Sequence, residues 1–359
     1  MPRATTCALT TALATTLAAA LSVFLIAVPA TPAAPASAAA AGGDAVRPVV
    51  KPLLTGLLNR NGPPSAELSD VVDSYVVQVN WAKIQPRRKA FRPAAIDRAF
   101  AQAQRSGARV KLRVLTGVHA PRWAKRLGGA PVRLRDPHDS QAGSVPRFWS
   151  RAYGRAYAGL QRRLAQRYDD RAVLAEVVIS RCSTFYAEPF IRQTSDAGSR
   201  RALLRAGYTA AKDKRCHRQQ VVAHRAWKQT RSGLALNPTQ LVTRTGGRRV
   251  DTGFTIAMMR HCKQSLAARC VLGNNSIRSP ITSLDAASPK KHYQRMYTAI
   301  ARYAPTLAFQ TATAERMGSC VKTLDWAAKR GASYVEIPWN AHAAGCTGPE
   351  LRSASRSLG

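Results

Sequence analysis

The chain has 359 residues, with 55 Lys+Arg against 19 Asp+Glu and a formal net charge of +36. Its basic residues are mostly Arg and are spread along the chain with no block of five or more, so charge by itself argues a solvated, Arg-rich surface and no nucleic-acid partner is expected. Attraction to an anionic cell-surface polymer is the sharper alternative, and no segment after the N-terminus is apolar enough for a membrane span, which takes about 20 residues.

The chain opens with "MPRATTCALTTALATTLAAALSVFLIAVPATPAAPASAAAA". Arg3 precedes an apolar core from Leu17 to Val28, and small residues follow around Ala38 to Ala41. This is the composition of an export signal with an Ala/Pro-rich spacer over residues 1–40. An uncleaved anchor is the alternative, but the apolar core is short for it. A secreted, extracellular domain is expected over residues 48–359, with no stable membrane insertion after signal cleavage. A remaining length of roughly 310 residues suits one large domain.

Cysteine usage agrees with export. Cys7 lies in the signal, and Cys182, Cys216, Cys262, Cys270, Cys320 and Cys346 remain. An even number in an exported chain implies disulfides, with the pairing open from sequence alone. Zinc held by Cys216, His217 and His224 is a rival reading, but no C-x-x-C spacing supports it. No metal or other cofactor is expected.

Short β-branched runs alternate with longer amphipathic stretches, the pattern of βα units around a parallel sheet. Strands are predicted over 52–59, 74–81, 109–117, 174–180, 233–238, 269–276, 306–313 and 333–338, the fifth being weakest. Between them, residues 94–106 place Ile96, Ala99, Phe100 and Ala103 at a helical period. Residues 148–167 read as a long amphipathic helix. Asp251 and Thr252 can cap a helix running to about Leu266. Residues 291–303 and 321–330 are further helices, the last ending at Gly331 as helices commonly do. Eight strands alternating with helices predict an α/β fold of a single (β/α)8 TIM barrel. An open doubly wound sheet is the alternative, but no G-x-G-x-x-G or P-loop follows any strand.

In such a barrel the side chains just past each strand converge on one cavity. Here they are Asn59 and Arg60, Asn80 and Trp81, Arg113 and His119, Arg181 and Glu188, Asn237, Asn274 and Asn275, Gln310 and Thr313, then Glu336, Trp339 and Asn340. Amides and Trp rings suit sugar hydroxyls and the apolar faces of sugar rings. Glycoside hydrolysis needs a pair of carboxylates. Asp97, Asp169, Asp170, Asp251 and Asp325 have helical or capping explanations, and Glu176 lies within the fourth strand, where it can face a helix or pair with Arg. Glu188 and Glu336 are left as the pair, with a structural ion pair to arginine as the alternative for each.

The passage "VNWAKIQPRRKAFRPAAIDRAFAQAQRSGARVKLRV" resembles the second-to-third-strand region of clan A glycoside hydrolases. "HAPRWA" resembles the segment after the third strand in family 42 β-galactosidase-like enzymes, and "YAEPF" resembles their fourth-strand N-E-P motif. The resemblance spans most of residues 52–340. It implies that Glu188 is the acid/base. Two departures stand out: Ala187 replaces the Asn before that Glu, and Gln310 stands where the family has its seventh-strand nucleophile. Glu315 and Glu336 are the nearest acids, and Glu336 is taken as the partner. Strands four and eight oppose each other, a wide separation that leans toward inversion, for which carboxylates lie about 6.5–9.5 Å apart. The same barrel placement pairs Cys320 with Cys346, Cys262 with Cys270, and Cys182 with Cys216.

The expected function is therefore a secreted glycoside hydrolase acting on a poly- or oligosaccharide. Glu188 and Glu336 carry the chemistry, and Asn80, Trp81, Arg113, Trp123, Asn274, Asn275, Gln310 and Trp339 bind sugar. Arg113 or Arg181 would orient an acidic group. The alternative is a non-catalytic glycan-binding barrel that has lost its seventh-strand nucleophile. A Ser nucleophile is disfavoured because G-x-S-x-G is absent.

Overall fold

The computed structural model describes residues 49–279 and 288–358. The predicted export signal and spacer lie outside the described residues. Among those described, no helix is long and apolar enough to cross a membrane.

Eight parallel strands close into a barrel. They are β1 (Gly56–Asn59), β2 (Ser74–Asn80), β3 (Arg109–Leu115), β4 (Leu174–Val178), β5 (Arg231–Ala235), β6 (Cys270–Ile277), β7 (Leu307–Thr311) and β8 (Ala332–Ile337). Closure comes from β8 on β1, with Glu336 beside Leu58. The open sheet is thereby excluded. Each strand lies within three residues of its sequence expectation except at the start of β1. There "KPLLT" runs as irregular backbone, and regular pairing begins only at Gly56.

The helices form where period and caps direct them. Ala94–Arg105 buries Ile96, Phe100 and Ala103. Ser150 and Asp251 cap Arg151–Tyr168 and Thr252–Leu266 by accepting from the amides of Tyr153 and Phe254. Such caps are worth about 1 kcal/mol each. Two antiparallel hairpins were not anticipated: Val132–Asp136 with Gln141–Val145, and Thr239–Val242 with Arg248–Asp251. Their strands carry many charges and sit on the barrel as insertions. Also unanticipated are the helices Ala197–Arg205 and Ala210–Ala223 between β4 and β5, and Gly348–Arg356 at the C-terminus.

Two large apolar clusters lie between the wall and the helices, while Leu58, Ala175, Val271, Ala308 and Tyr334 pack together as a smaller one. The sulfurs pair Cys182–Cys216, Cys262–Cys270 and Cys320–Cys346, with Cα separations of 6.2, 5.8 and 5.4 Å. These are the pairs expected from the barrel placement. Disulfides of this kind persist in oxidising compartments.

Gly233 on β5 leaves room for a charged layer. A methyl group there would run into Glu176 Oε1. That carboxylate is held by Lys111 Nζ at 2.9 Å and the Tyr334 hydroxyl at 2.9 Å, so it has nowhere to retreat. Gly233→Ala is expected to destabilise the fold by ~1–3 kcal/mol, the usual cost of overpacking. Gly159→Ala, in the middle of the Arg151–Tyr168 helix with only Arg162 Nη2 near at 3.8 Å, should instead stabilise it by ~0.5–1 kcal/mol. Urea melts of the two variants check the opposite signs.

Candidate active site

The segment after β4 is irregular and yet buried. From Arg181 to Thr194 only Tyr186 and Ile191 are partly exposed. Irregular backbone normally stays at the surface, because its polar groups need partners. This segment finds them inside the protein. Ser180 donates its hydroxyl to Val114 O, and Thr184 O accepts from the Val118 amide. Gln240 ties the far end, its side chain accepting from the Arg192 amide while its own amide donates to Phe190 O. Gly117 sits at φ +58° directly against Thr184 O, a close approach that a side chain would block.

Arg192 anchors the segment from below. It donates to both oxygens of Asp213, at 2.9 and 2.7 Å, and lies 4.5 Å over the Phe148 ring. Tyr208 donates to the same carboxylate at 2.6 Å. Burial alone would raise the Asp213 carboxyl, but Arg192 and His217 override it and hold it well below the usual range. The Cys182–Cys216 bond joins the same helix to the segment's start. Glu188 is thus carried on a loop fixed by a covalent bond and a buried ion pair.

Strand alternation places a second set of side chains inside the barrel. Lys111 and Arg113 on β3, Glu176 on β4, Asn275 on β6 and Glu336 on β8 line one interior cavity. Lys111 Nζ lies 2.9 Å from Glu176 and 2.9 Å from Glu336 Oε1, and donates to the Tyr334 hydroxyl at 2.6 Å. Arg113 Nη2 meets Glu336 Oε2 at 2.5 Å and Gln310 Oε1 at 3.1 Å. The free space among them is about 20 Å³, room for a water and far too little for a sugar ring.

The two candidate carboxylates are pushed in opposite directions. Burial raises the Glu188 carboxyl above the usual range, and the Glu336 charge adds to that against the pull of Arg113 and Asn275. Burial would raise Glu336 too, but Arg113 and Lys111 reverse the effect and hold it at about 2. One acid is held above the usual carboxylate range and the other well below it. Arg60, past β1, interacts electrostatically with both. It donates to Thr311 O and, at 3.0 Å, to Ala312 O, which fixes it beside the end of β7.

The remaining expected sugar-binding residues divide. Asn275, Gln310 and Arg113 gather around Glu336, with Gln310 beside it in register on the neighbouring strand. Trp339 is 61 % exposed, on the turn just past β8. Asn80 ends β2 and is half-buried. Trp81 and Asn274 are corrected to core positions. Trp81 is 0 % exposed, packs on Trp123, Tyr153 and Tyr157, and donates to Gln85 Oε1. It opens the helix Trp81–Ile84 instead of ending the strand, which turns its ring into the wall. Asn274 alternates with Asn275 and points outward, donating to Leu236 O and accepting from Tyr297. Trp123 is half-buried, its indole N–H spent on Gln85 O. Arg181 turns away as well, toward Ser150 O and Gln219, beside Gly154 of the neighbouring helix. Glu176 faces the interior and pairs with lysine, neither of the partners expected for it.

The rival zinc reading is corrected too. Cys216 is in a disulfide, His217 contacts Arg192 and Asp213, and His224 bonds Tyr157 and Ser232. Among the described residues no cluster of His, Cys, Asp and Glu could hold a metal. Sequence reasoning missed Lys111, Tyr334, Gln78 and Tyr293. Gln78 sits opposite Arg113 on β2 and is exposed at the mouth. Tyr293 feels the Glu188 charge and donates to Asn237. The alternation of "RVKLRVL" carried a signal for Lys111, since Lys111 and Arg113 share one face of the strand.

The fold matches the catalytic domain of β-amylase from Paenibacillus polymyxa with a TM-score of 0.53 at 10 % identity, covering 86 % of this chain and 99 % of that one. It matches endo-glycoceramidase II from Rhodococcus sp., solved as a lactosyl-enzyme intermediate, with a TM-score of 0.50 at 12 % identity, covering 82 % and 75 %. No family model and no curated protein matches the sequence. At these identities the likeness is one of fold: the chain shares a (β/α)8 barrel with both proteins and is distant from them in sequence.

Proposed function

We propose that the protein is a secreted glycoside hydrolase with Glu188 as proton donor and Glu336 as the ionised second carboxylate. The observation that carries this reading is the opposed acidity of the two groups around a shared Arg113. Two carboxyls whose surroundings drive their acidities apart are the usual sign of an acid and its charged partner. In the reaction, the Glu188 proton passes to the glycosidic oxygen as the bond to the anomeric carbon breaks. The Glu336 charge stabilises the positive charge that develops on the sugar ring. Arg113 then faces a newly ionised Glu188, which eases loss of the proton. Water adds to the anomeric carbon and its proton returns to a carboxylate. Trp339, Asn80, Asn275 and Gln310 offer a ring face and amides to the glycan.

A glycan-binding barrel without catalysis is the second reading. Its support is specific: Gln310 stands at the end of β7, and both oxygens of Glu336 are already engaged by cations.

Hydrolysis of a broad glycan panel by the mature protein, with Glu188→Gln alongside, separates the two. The expected result is cleavage by the wild type and a loss of at least ~100-fold in the variant, the scale of a general acid's contribution. Binding of a glycan by both proteins with no cleavage by either would establish the second reading. NMR of the anomer released first should show inversion, as expected for acids presented from opposed strands.

The same division predicts opposite effects on stability. The folded pKa of Glu336 is depressed, so its ionic contacts contribute above its unfolded pKa of 4.5 and fade as pH falls toward about 2. Glu336→Gln is expected to cost ~3–5 kcal/mol at pH 7, because it leaves buried Arg113 without a carboxylate and takes one of the two from Lys111, and less as pH drops through that window. Glu188 is raised, so ionising it weakens the fold as pH climbs above 4.5. Glu188→Gln should therefore stabilise the protein at pH 7 and lose that advantage at pH 4. Urea melts across pH 2–8 check both signs.

A further inference from the structure

One sector of the mouth carries a group of cations that form no ion pair among the described residues. They lie on the loops after β2 and β3, which are neighbours in the wall. The loop after β2 reads "KIQPRRKAFR". Arg87, Arg88, Lys89 and Arg92 on it are exposed. Beside it, after β3, Arg122 and Arg126 are exposed as well. The two loops are joined where the Trp123 indole donates to Gln85 O at 3.0 Å.

Surface ion pairs occur elsewhere on the protein. Arg167 meets Asp97, Lys214 meets Asp251, and Arg352 meets Asp70. None of the six cations named above forms one among the described residues. Their loop is also held in shape. Gln85 donates to Arg88 O at 2.9 Å, the Arg92 amide to Ile84 O at 2.7 Å, and the Ala90 amide to Arg87 O at 3.1 Å. The charges thus project from a fixed shelf, which lowers the ordering cost of binding.

The shelf leads inward. Gln78, exposed at the mouth, stands next to Arg113 in the strand register. Arg60 closes the same side, with no carboxylate in ion-pair contact among the described residues. The Nε donors of Arg60 and Arg113 are buried and find no acceptor in the protein. From rim to throat this side offers positive charge and unspent donors, while Glu188 and Glu336 lie beyond.

We propose that the glycan this site takes is an anionic polysaccharide, bearing carboxylate or sulfate groups, which lies along the shelf and enters the mouth from the β1–β3 side. This rests on the glycan-acting reading of the mouth. Charge on the shelf would bind the chain and set its direction, since paired charges at a rim govern capture and register.

The test is binding to polygalacturonate, heparin, neutral dextran and a single-stranded oligonucleotide, in a Glu188→Gln background so that cleavage does not intrude. Arg87→Glu/Arg88→Glu/Lys89→Glu is compared with Arg162→Glu/Arg163→Glu/Lys322→Glu, which makes the same change in net charge on exposed helix positions outside the shelf. The expected result is salt-sensitive binding of polygalacturonate or heparin but not dextran. The shelf variant should lose at least ~10-fold in affinity and the control less than ~3-fold, with thermal midpoints unchanged. Equal losses in both variants would overturn the proposal, because net charge alone would then explain binding. Preference for the oligonucleotide over both anionic polysaccharides would overturn it as well. Cleavage of a neutral glycan with no shelf-dependent binding removes the shelf and leaves the hydrolase. Shelf-dependent binding with no cleavage of any glycan upholds the shelf and removes the hydrolase.

Discussion

Everything at the mouth depends on a charge-balanced set of side chains sealed inside the barrel. Lys111 and Arg113 supply two positive charges, Glu176 and Glu336 two negative ones, and Tyr334 bridges Lys111 to Glu176. Each buried ion costs several kcal/mol in lost hydration, so no member of the set can be left without its partner. The set explains why β5 carries Gly233, whose missing side chain is the space that Glu176 fills. It also explains how a fully buried carboxyl on β8 stays ionised. What reaches the mouth from this layer is one charged edge, Arg113 with Glu336, at a fixed height in the barrel.

A second buried set does equivalent work for Glu188. A long irregular segment would ordinarily be mobile and exposed. Here Arg192, Asp213, Tyr208 and the Cys182–Cys216 bond hold it against the helices outside β4. The benefit is burial for the glutamate without a strand or helix to carry it, and burial is what raises its pKa. The two carboxyls thus owe their opposite pKa shifts to opposite solutions of one problem. Glu336 is buried with cations in direct contact, whereas Glu188 is buried with Arg113 at longer range.

Local physics made the frame readable. The β-branched runs, the helical period of Ile96, Phe100 and Ala103, and the caps at Asp251 and Gly331 each act over a few residues, so they survive in the linear string. The cysteine pairs followed because a closed barrel places the ends of consecutive units side by side. Glu188 stood out because so few acids compete with it. The two hairpins and the helices between β4 and β5 were less readable, since charged, polar sequences fold there as insertions on a scaffold they did not build. Trp81 misled because a one-residue difference in where β2 ends decides whether its ring meets solvent or core.

The sequence by itself determined the barrel and its strand order, because those follow from local periodicity and from the closure rule that parallel strands obey; the cysteine pairs followed only once that barrel was assumed. Only the tertiary structure decided which groups surround the buried acids. Lys111 meets Glu176 and Glu336, Arg113 meets Glu336 and Gln310, and Asn274 parts from Asn275. Acidity at the mouth is set by charges from distant strands brought within about 3 Å in a medium of low polarity, and a linear pattern carries no record of such distances.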